Sequence, residues 1–311
     1  MFKYLTRRLL YMIPILFGVT LITFILFNVV GGDPAAQAAG RHATAEQIEV
    51  IRRELGLDRP LPMQYLFFVQ QIFSLDFGRS WSTKQEITTM FADGMGPSLS
   101  LTLPAFILAQ IITIALALLL ARWRGTNFDR ITKVTCLAMM SLSSLVYILW
   151  GQYVLAYQWG WFPISGWDNS FAGRWEYLGL PIVIFVLLSL GGNVLFYRTV
   201  FLDEIYHDYV RTARAKGLNE ASILFKHVLR NALIPIITRV VLQMPFLILG
   251  SLLLESFFGI PGIGGIVVQA IQNADFPVIK AMTFLSAVLY MVFQLISDVL
   301  YAVVDPKVQL R

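Results

Sequence analysis

Six predominantly apolar runs, at 9–30, 99–121, 134–158, 178–197, 233–254 and 281–304, constrain this chain more than any motif in it. Each reaches or exceeds the roughly 20 residues that a helix needs to cross about 30 Å of hydrocarbon. Composition agrees with the runs. Of 311 residues, 57% are hydrophobic and only 14% charged, with a mean hydropathy of +0.68, whereas soluble domains carry about a quarter charged residues. The expectation is an all-α polytopic membrane protein with six transmembrane helices.

The first run follows Lys3, Arg7 and Arg8 and precedes Ala36-Gln37-Ala38, a layout shared with secretory leaders. Its 22 residues exceed a leader's apolar core and five further runs follow, so it is read as retained. With the N-terminus in the cytoplasm, the inner segments hold Lys3, Arg7, Arg8, Arg122, Arg124, Arg130, Lys133, Arg198, Arg211, Arg214, Lys216, Lys226, Arg230, Arg239, Lys307 and Arg311. That is 16 of the 24 basic residues. The positive-inside rule therefore places both termini in the cytoplasm. The net charge of +5 reflects this orientation, and its spread over separate segments argues against a nucleic-acid partner. Cys136 stands alone and His42, His207 and His227 are scattered, so neither a disulfide nor a metal cluster is expected.

Between the fourth and fifth runs lies the one polar segment shaped to grip another protein. Asp208–Gly217 and the following stretch to Pro235 read as two short helices broken by Gly217, a residue able to adopt positive φ. Leu218, Ala221, Phe225, Leu229 and Ala232 recur at helical spacing and predict an apolar stripe. Asn219, Glu220, Lys226, Arg230 and Asn231 fall largely off it. A solvated basic loop has no need of Phe225 or Leu218.

The run Tyr209-Val210-x-Thr212-Ala213-Arg214-Ala215-Lys216-Gly217, with Arg230-Asn231-Ala232-Leu233-Ile234-Pro235, resembles the cytoplasmic coupling loop of ABC-importer permeases of the dipeptide/oligopeptide class. The wider superfamily writes this loop Glu-Ala-Ala-x-x-x-Gly; here Arg211, Thr212 and Ala213 fill the first three places and Gly217 the last. The missing acidic residue leaves any role of that Glu without a carrier in this chain. Further matches run in family order: Tyr4-Leu5-x-Arg7-Arg8-Leu9-Leu10, Leu55-Gly56-Leu57-Asp58-Arg59-Pro60 with Gln64-Tyr65, Asp76-Phe77-Gly78-x-Ser80, and Gly160-Trp161-Phe162-Pro163. They continue through Glu255-x-x-Phe258-x-Ile260-Pro261-Gly262-x-Gly264 to Ala302-x-x-Asp305-Pro306. The resemblance implies the type I ABC importer permease fold and the first of two membrane subunits. It also implies a coupling loop over 201–232, in which Arg211, Thr212, Ala213, Gly217, Leu218, Asn219, Glu220 and Phe225 meet a partner ATPase.

The segment 31–97 is the largest outer region. Thr44 with Gln47 announces a capped amphipathic helix, 57–62 breaks it, and 63–73 forms a second, apolar one. Packing over the outer mouth or contact with a solute-binding protein both fit this region. The glycine-rich 259–265 has neither a following Lys-Ser/Thr nor a preceding strand, which excludes a phosphate loop. A turn into a short helix over 266–273 is expected instead. The resemblance makes it a re-entrant outer-gate element, with Phe258, Pro261, Gly262 and Gly264 in it.

Ionisable residues within the runs are few. Arg239 sits near the inner end of the fifth and is read as snorkelling; Asp298, in the sixth, is read as paired with a nearby Arg in preference to a transport role. Gln110, Gln152, Tyr153, Gln243 and Gln294 are candidates for polar lining, although helix–helix hydrogen bonding explains them equally.

No paired carboxylate, His cluster or nucleophile–base set stands at chemical spacing, so no catalytic, cofactor or metal residue is nominated. The resulting division is 1–30 for the cytoplasmic tip and first helix, 31–97 for the outer region, 98–304 for the permease core, and 305–311 for a cytoplasmic tail. The function expected is a permease subunit of a binding-protein-dependent importer for peptides or peptide-like solutes. Its partners would be a second permease, two ATPases that hydrolyse the ATP, and a periplasmic or lipid-anchored binding protein. The alternatives are a permease for a non-peptide solute such as a nickel complex, and a stand-alone secondary transporter. The second lacks both an internal duplication and a buried acid relay.

Overall fold

A computed structural model of the chain describes residues 2–40 and 43–304; His42 and the tail 305–311 lie outside the described residues. Sixteen helices are described, and the described residues form no strand beyond one bridge between Arg79 and Glu86. Helix α1 (Phe2–Phe24) runs on through a wider-wound turn (Ile25–Val30). The outer region then folds as α2 (Pro34–Ala39), α3 (Ala45–Glu54) and α4 (Leu61–Phe73). Thr44 and Gln47 close the capping box on α3 as expected.

Helix α5 (Ile87–Arg122) is followed by α6 (Asn127–Ser141) and α7 (Ser144–Gly151), which continues as a wide turn (Gln152–Gln158). Next comes α8 (Arg174–Ile205), and then the elbow, made of α9 (Asp208–Ala215), α10 (Glu220–Ser222), a wide turn (Ile223–Val228) and α11 (Leu229–Asn231). The last part holds α12 (Leu233–Gln243), α13 (Pro245–Leu249), α14 (Leu252–Phe258), α15 (Ile263–Gln272) and α16 (Phe276–Val304).

Among the described residues five helical stretches are long and apolar enough to cross a membrane, α12–α14 (Leu233–Phe258) counting as one, and a sixth crossing is made if the bent pair α6–α7 is one span. That pair corrects the expectation of a straight third span over 134–158. Its halves meet at 94°, because Leu142 is extended and Ser143 caps α7 by accepting from the Leu145 amide. A 15-residue helix such as α6 is about 22 Å long, too short to cross alone.

Other boundaries also differ from those the apolar runs suggest. Helix α5 starts at Ile87, inside the assigned outer region, because Ile87 and Phe91 bury against Ile263, Val267 and Val278. The fifth run is broken at Gly250, whose φ is +76°. The short helix after the glycine loop starts at Ile263, three residues early.

Helices α5 and α8 share the most extensive packing of any pair and form the centre. At the elbow end their cluster joins Ala117, Ala121, Tyr197 and Phe201 to the elbow's own residues. Midway along, Leu101 and Ile184 meet Ile148 of α7 and Leu254 of α14. The outer region is tied to α1 by Thr20 hydrogen-bonded to Tyr65 (2.9 Å) and braced internally by an Arg52–Asp33 ion pair (2.6 Å), while Lys280 of α16 donates to Asn28 in the turn that continues α1.

Helix α6 crosses α8 at Gly191, where a Cβ would stand 2.8 Å from Met140 Cγ and 2.9 Å from the Cys136 carbonyl oxygen. At Gly192 it would meet only the end of Met140, at 3.7 Å. Gly191→Val is therefore expected to destabilise the protein by about 1–3 kcal/mol, read as a lower melting temperature in detergent. Gly192→Val should stay near the parent; equal losses in both variants would refute the close crossing.

Candidate functional site

The elbow is built by three local choices. Helix α9 ends at Ala215 and Gly217 takes φ +77°, a left-handed conformation in which a Cβ costs on the order of 1–2 kcal/mol. Asn219 then caps α10 by accepting from the Ser222 amide at 2.7 Å. Across the turn Arg214 grips Glu220 with two hydrogen bonds, 2.7 and 3.2 Å. This bonding to Arg214 holds the Glu220 carboxyl below its ordinary range. At the elbow's entry Tyr209 donates to Glu204, and burial, with that bond, pushes its phenol up to about 12.

The expected apolar stripe is split between two faces. Val210, Ala213, Ile223, Leu224, Val228 and Ala232 are buried against α5 and α8. Leu218 and Phe225 are 41% and 62% exposed, and Ala221 is exposed beside them. The buried face is thus rotated from the predicted one, which leaves Phe225 and Leu218 outward with Arg211, Thr212 and Lys216. An exposed aromatic flanked by cations has the composition of a protein-binding surface.

At the opposite end a carboxylate organises the glycine-rich turn. Glu255 of α14 is fully buried and accepts from the Ser251 amide (2.9 Å) and the Gly265 amide (3.2 Å). Ser98 of α5 lies beside it and accepts from the Ile263 amide at 2.8 Å. A Cβ at Gly262 would sit 2.3 Å from Glu255 Oε2, at Gly264 2.9 Å from the same atom, and at Gly250 2.1 Å from Oε1. The glycines are there because the backbone wraps a buried carboxylate. Phe258 is buried and its carbonyl accepts from the Gly166 amide at 2.9 Å, while Pro261 is exposed.

Beside this turn, Asp275 accepts from Ser80 Oγ (2.5 Å), Ser82 Oγ (2.8 Å), and the amides of Trp81 (3.0 Å) and Ser82 (3.2 Å). Burial works to raise its pKa, and these four bonds outweigh it and hold the carboxyl below 3.8. Sequence reasoning noticed Ser80 and missed both carboxylates as organisers. The usable signal was an acidic residue next to glycines and serines in otherwise apolar surroundings.

The nominated polar residues separate into different settings. Tyr197 donates to Gln110 (2.8 Å), Gln110 to Gln243 (3.2 Å), and Gln243 to Asn193 (3.3 Å), one network across α5, α8 and α12. Arg239 joins it by donating to Asn193 (3.2 Å), a partner the sequence did not indicate. Gln152 instead bonds the carbonyls of Ile164 and Phe257, Tyr153 stacks on Tyr157, and Gln294 is half-buried outside the network. Asp298 is paired with Arg8 of α1 through Nε (3.0 Å) and Nη2 (3.2 Å), a structural pairing of the expected kind.

A family model described as binding-protein-dependent transport system inner membrane component matches residues 97–310, and its N-terminal companion matches residues 1–102. The chain is also similar to curated relatives over their whole length. It is 35% identical over 316 residues to the glutathione transport system permease protein GsiC of Pectobacterium atrosepticum, and 34% identical to those of Shigella flexneri and Escherichia coli K12. Each alignment covers 100% of both chains.

Because the folded pKa of Asp275 is depressed, its contribution to stability is complete above the unfolded value and fades as the pH falls below 3.8. Asp275→Asn should lower the melting temperature at pH 6–7 and flatten its decline below pH 4. A variant whose pH profile parallels the parent's would show that the four bonds to Asp275 do not stabilise this end of the molecule.

Proposed function

The chain belongs to the family of binding-protein-dependent transport system inner membrane components, and is a peptide-type ABC importer permease; from that premise we propose how it works and what it carries. It is a multi-pass protein of the inner membrane with both termini in the cytoplasm. It pairs with a second permease, takes energy from two ATPases that bind and hydrolyse ATP, and receives solute from a binding protein. The cargo is short peptides or peptide-like solutes. The relatives named as glutathione permeases support that class, glutathione being a tripeptide.

The observation that carries the coupling proposal is the exposed Phe225 on an elbow whose other face is buried in the bundle. ATPases closing on ATP would push the outward face of the elbow, with Arg211, Thr212, Leu218 and Phe225 as the surface they meet. Ala213 is buried beneath, Gly217 and Asn219 set the turn, and Glu220 locks it to Arg214. The Glu255 turn, with Phe258, Pro261, Gly262 and Gly264, is then the outer gate. Stimulation of partner hydrolysis and movement of the gate are the two ends of one transmission.

Two variants test the elbow. A Cβ on Gly217 meets nothing within 4 Å, so Gly217→Val strains only the backbone, by about 1–2 kcal/mol. Assembly is expected to survive in Gly217→Val and in Phe225→Ala. Binding-protein-stimulated ATP hydrolysis and peptide uptake in proteoliposomes should fall at least tenfold in both, an effect of the size an aromatic interface anchor carries. Normal coupled transport in both variants would reduce the segment to a basic loop. For orientation, a single cysteine at position 220 in a Cys136→Ala background should resist impermeant labelling from outside intact cells.

A further inference from the structure

Helix α12 presents one exposed residue, Arg239; every other position from 233 to 243 is buried or half-buried. Its anchor, Asn193, lies four residues inside the end of the fourth apolar run at 197, about 6 Å along the axis. The network continues to Gln110, in the middle of the apolar stretch of α5. The guanidinium is thus held within the thickness of the bilayer.

A charged guanidinium at that depth does not rest against lipid chains, and intramembrane cations face a bundle interior, an aqueous route or an opposing charge. Among the described residues no Asp or Glu lies within 4.0 Å of Arg239. Its recorded contacts are the Nε–H bond to Asn193 and a position 5.6 Å from the Phe196 ring centroid. The four Nη hydrogens have no acceptor among the described residues. The free side of the group is the planar fork that fits a carboxylate with two parallel bonds.

The network explains why the fork is pre-aimed. Tyr197, Gln110 and Gln243 pass donors in one direction and end on Asn193 Oδ1, the same oxygen that accepts from Arg239 Nε. Two donors fix that oxygen, and it fixes the edge of the guanidinium that does not point outward. A residue wanted only as a helix–helix contact would spend its terminal nitrogens inside the bundle.

We infer that Arg239, positioned by Asn193, is a carboxylate-binding residue of the translocation route and takes the C-terminal carboxylate of a peptide cargo in passing. The inference rests on the peptide-importer reading above. Arginine suits the task because it stays charged at every physiological pH, and a single two-bond contact leaves the cargo side chains unread.

The test uses the complete complex with its binding protein in proteoliposomes, and short peptides as free acids and as C-terminal amides. Arg239→Gln should slow free-acid uptake by about 10- to 100-fold, the loss expected for one charge-assisted pair. Amide uptake should stay within about twofold. Because the binding protein is unchanged, its own selectivity cancels in the acid-to-amide ratio. Equal losses for acid and amide would instead assign Arg239 to contact with the second permease and overturn the inference, as would no loss at all.

A second arm reads charge directly and decides alone if the binding protein delivers only the acid. Arg239→Cys in a Cys136→Ala background is treated with water-soluble methanethiosulfonates. The cationic aminoethyl reagent should restore free-acid uptake and the neutral methyl reagent should not. A thiol that reacts with neither lies in lipid or in a sealed contact, and the inference fails. Absence of any peptide uptake by the unaltered complex would bring down the peptide reading and this inference together. Parent-like acid-to-amide ratios in Arg239→Gln would bring down the inference alone.

Discussion

Hydrocarbon offers no hydrogen bonds, so wherever this chain leaves the helical ladder inside the membrane something else must satisfy its backbone. The demand is heaviest around Gly250, where α13 ends, α14 starts and the chain doubles back into α15. Thr102 of α5 donates to the Leu247 carbonyl at 2.7 Å, Ser98 accepts from the Ile263 amide, and Glu255 accepts from the Ser251 and Gly265 amides. Three side chains replace the missing ladder bonds. The glycines at 250, 262 and 264 follow from how closely the backbone must approach the carboxylate.

The same demand governs charge at the elbow end. Asp129 is 1% exposed and is met by both ends of the Arg198 fork (2.7 and 2.9 Å), by Lys133 (3.3 Å) and by the Gly125 amide (3.1 Å). Asp298 has Arg8, which fastens α1 to α16. A buried carboxylate stripped of such partners is among the most destabilising changes a protein can suffer. These pairings hold helices that the lipid gives no reason to associate. Against this pattern the outward fork of Arg239 stands apart, and its setting resembles that of a binding group more than that of a fastening.

Much of this was legible in the sequence because apolar runs, capping residues and positive-φ glycines act locally. The runs located the long helices, Thr44 and Gln47 located the start of α3, and Gly217 located the elbow turn. The bend between α6 and α7 was not legible, since Leu142 and Ser143 interrupt an apolar run without a proline or a glycine. The buried face of the elbow was misjudged for a related reason. Leu218 and Phe225 carry the same helical period as Ile223 and Leu224, and only packing on Tyr197 and Phe201 decides which set turns inward. The organising roles of Glu255 and Asp275 were not read from the sequence because half or more of their partners are backbone amides, and the serines that complete them lie more than 150 positions away.

Helix α5 touches both ends of the molecule. Ala121 is buried with the elbow, and Ser98, 23 positions earlier, belongs to the Glu255 turn. At 1.5 Å per residue that is a span of about 35 Å in one covalent piece. Pro97 and Pro104 lie between the Glu255 end and the middle of the helix, and no proline lies between its middle and the elbow; each removes an amide from the ladder and loosens it locally. Mechanically, α5 is a push-rod with a flexure in the half away from the elbow. Thrust delivered near Ala121 travels along a stiff shaft and is converted to bending beneath the turn, so a few tenths of an ångström at one membrane face can become a tilt at the other.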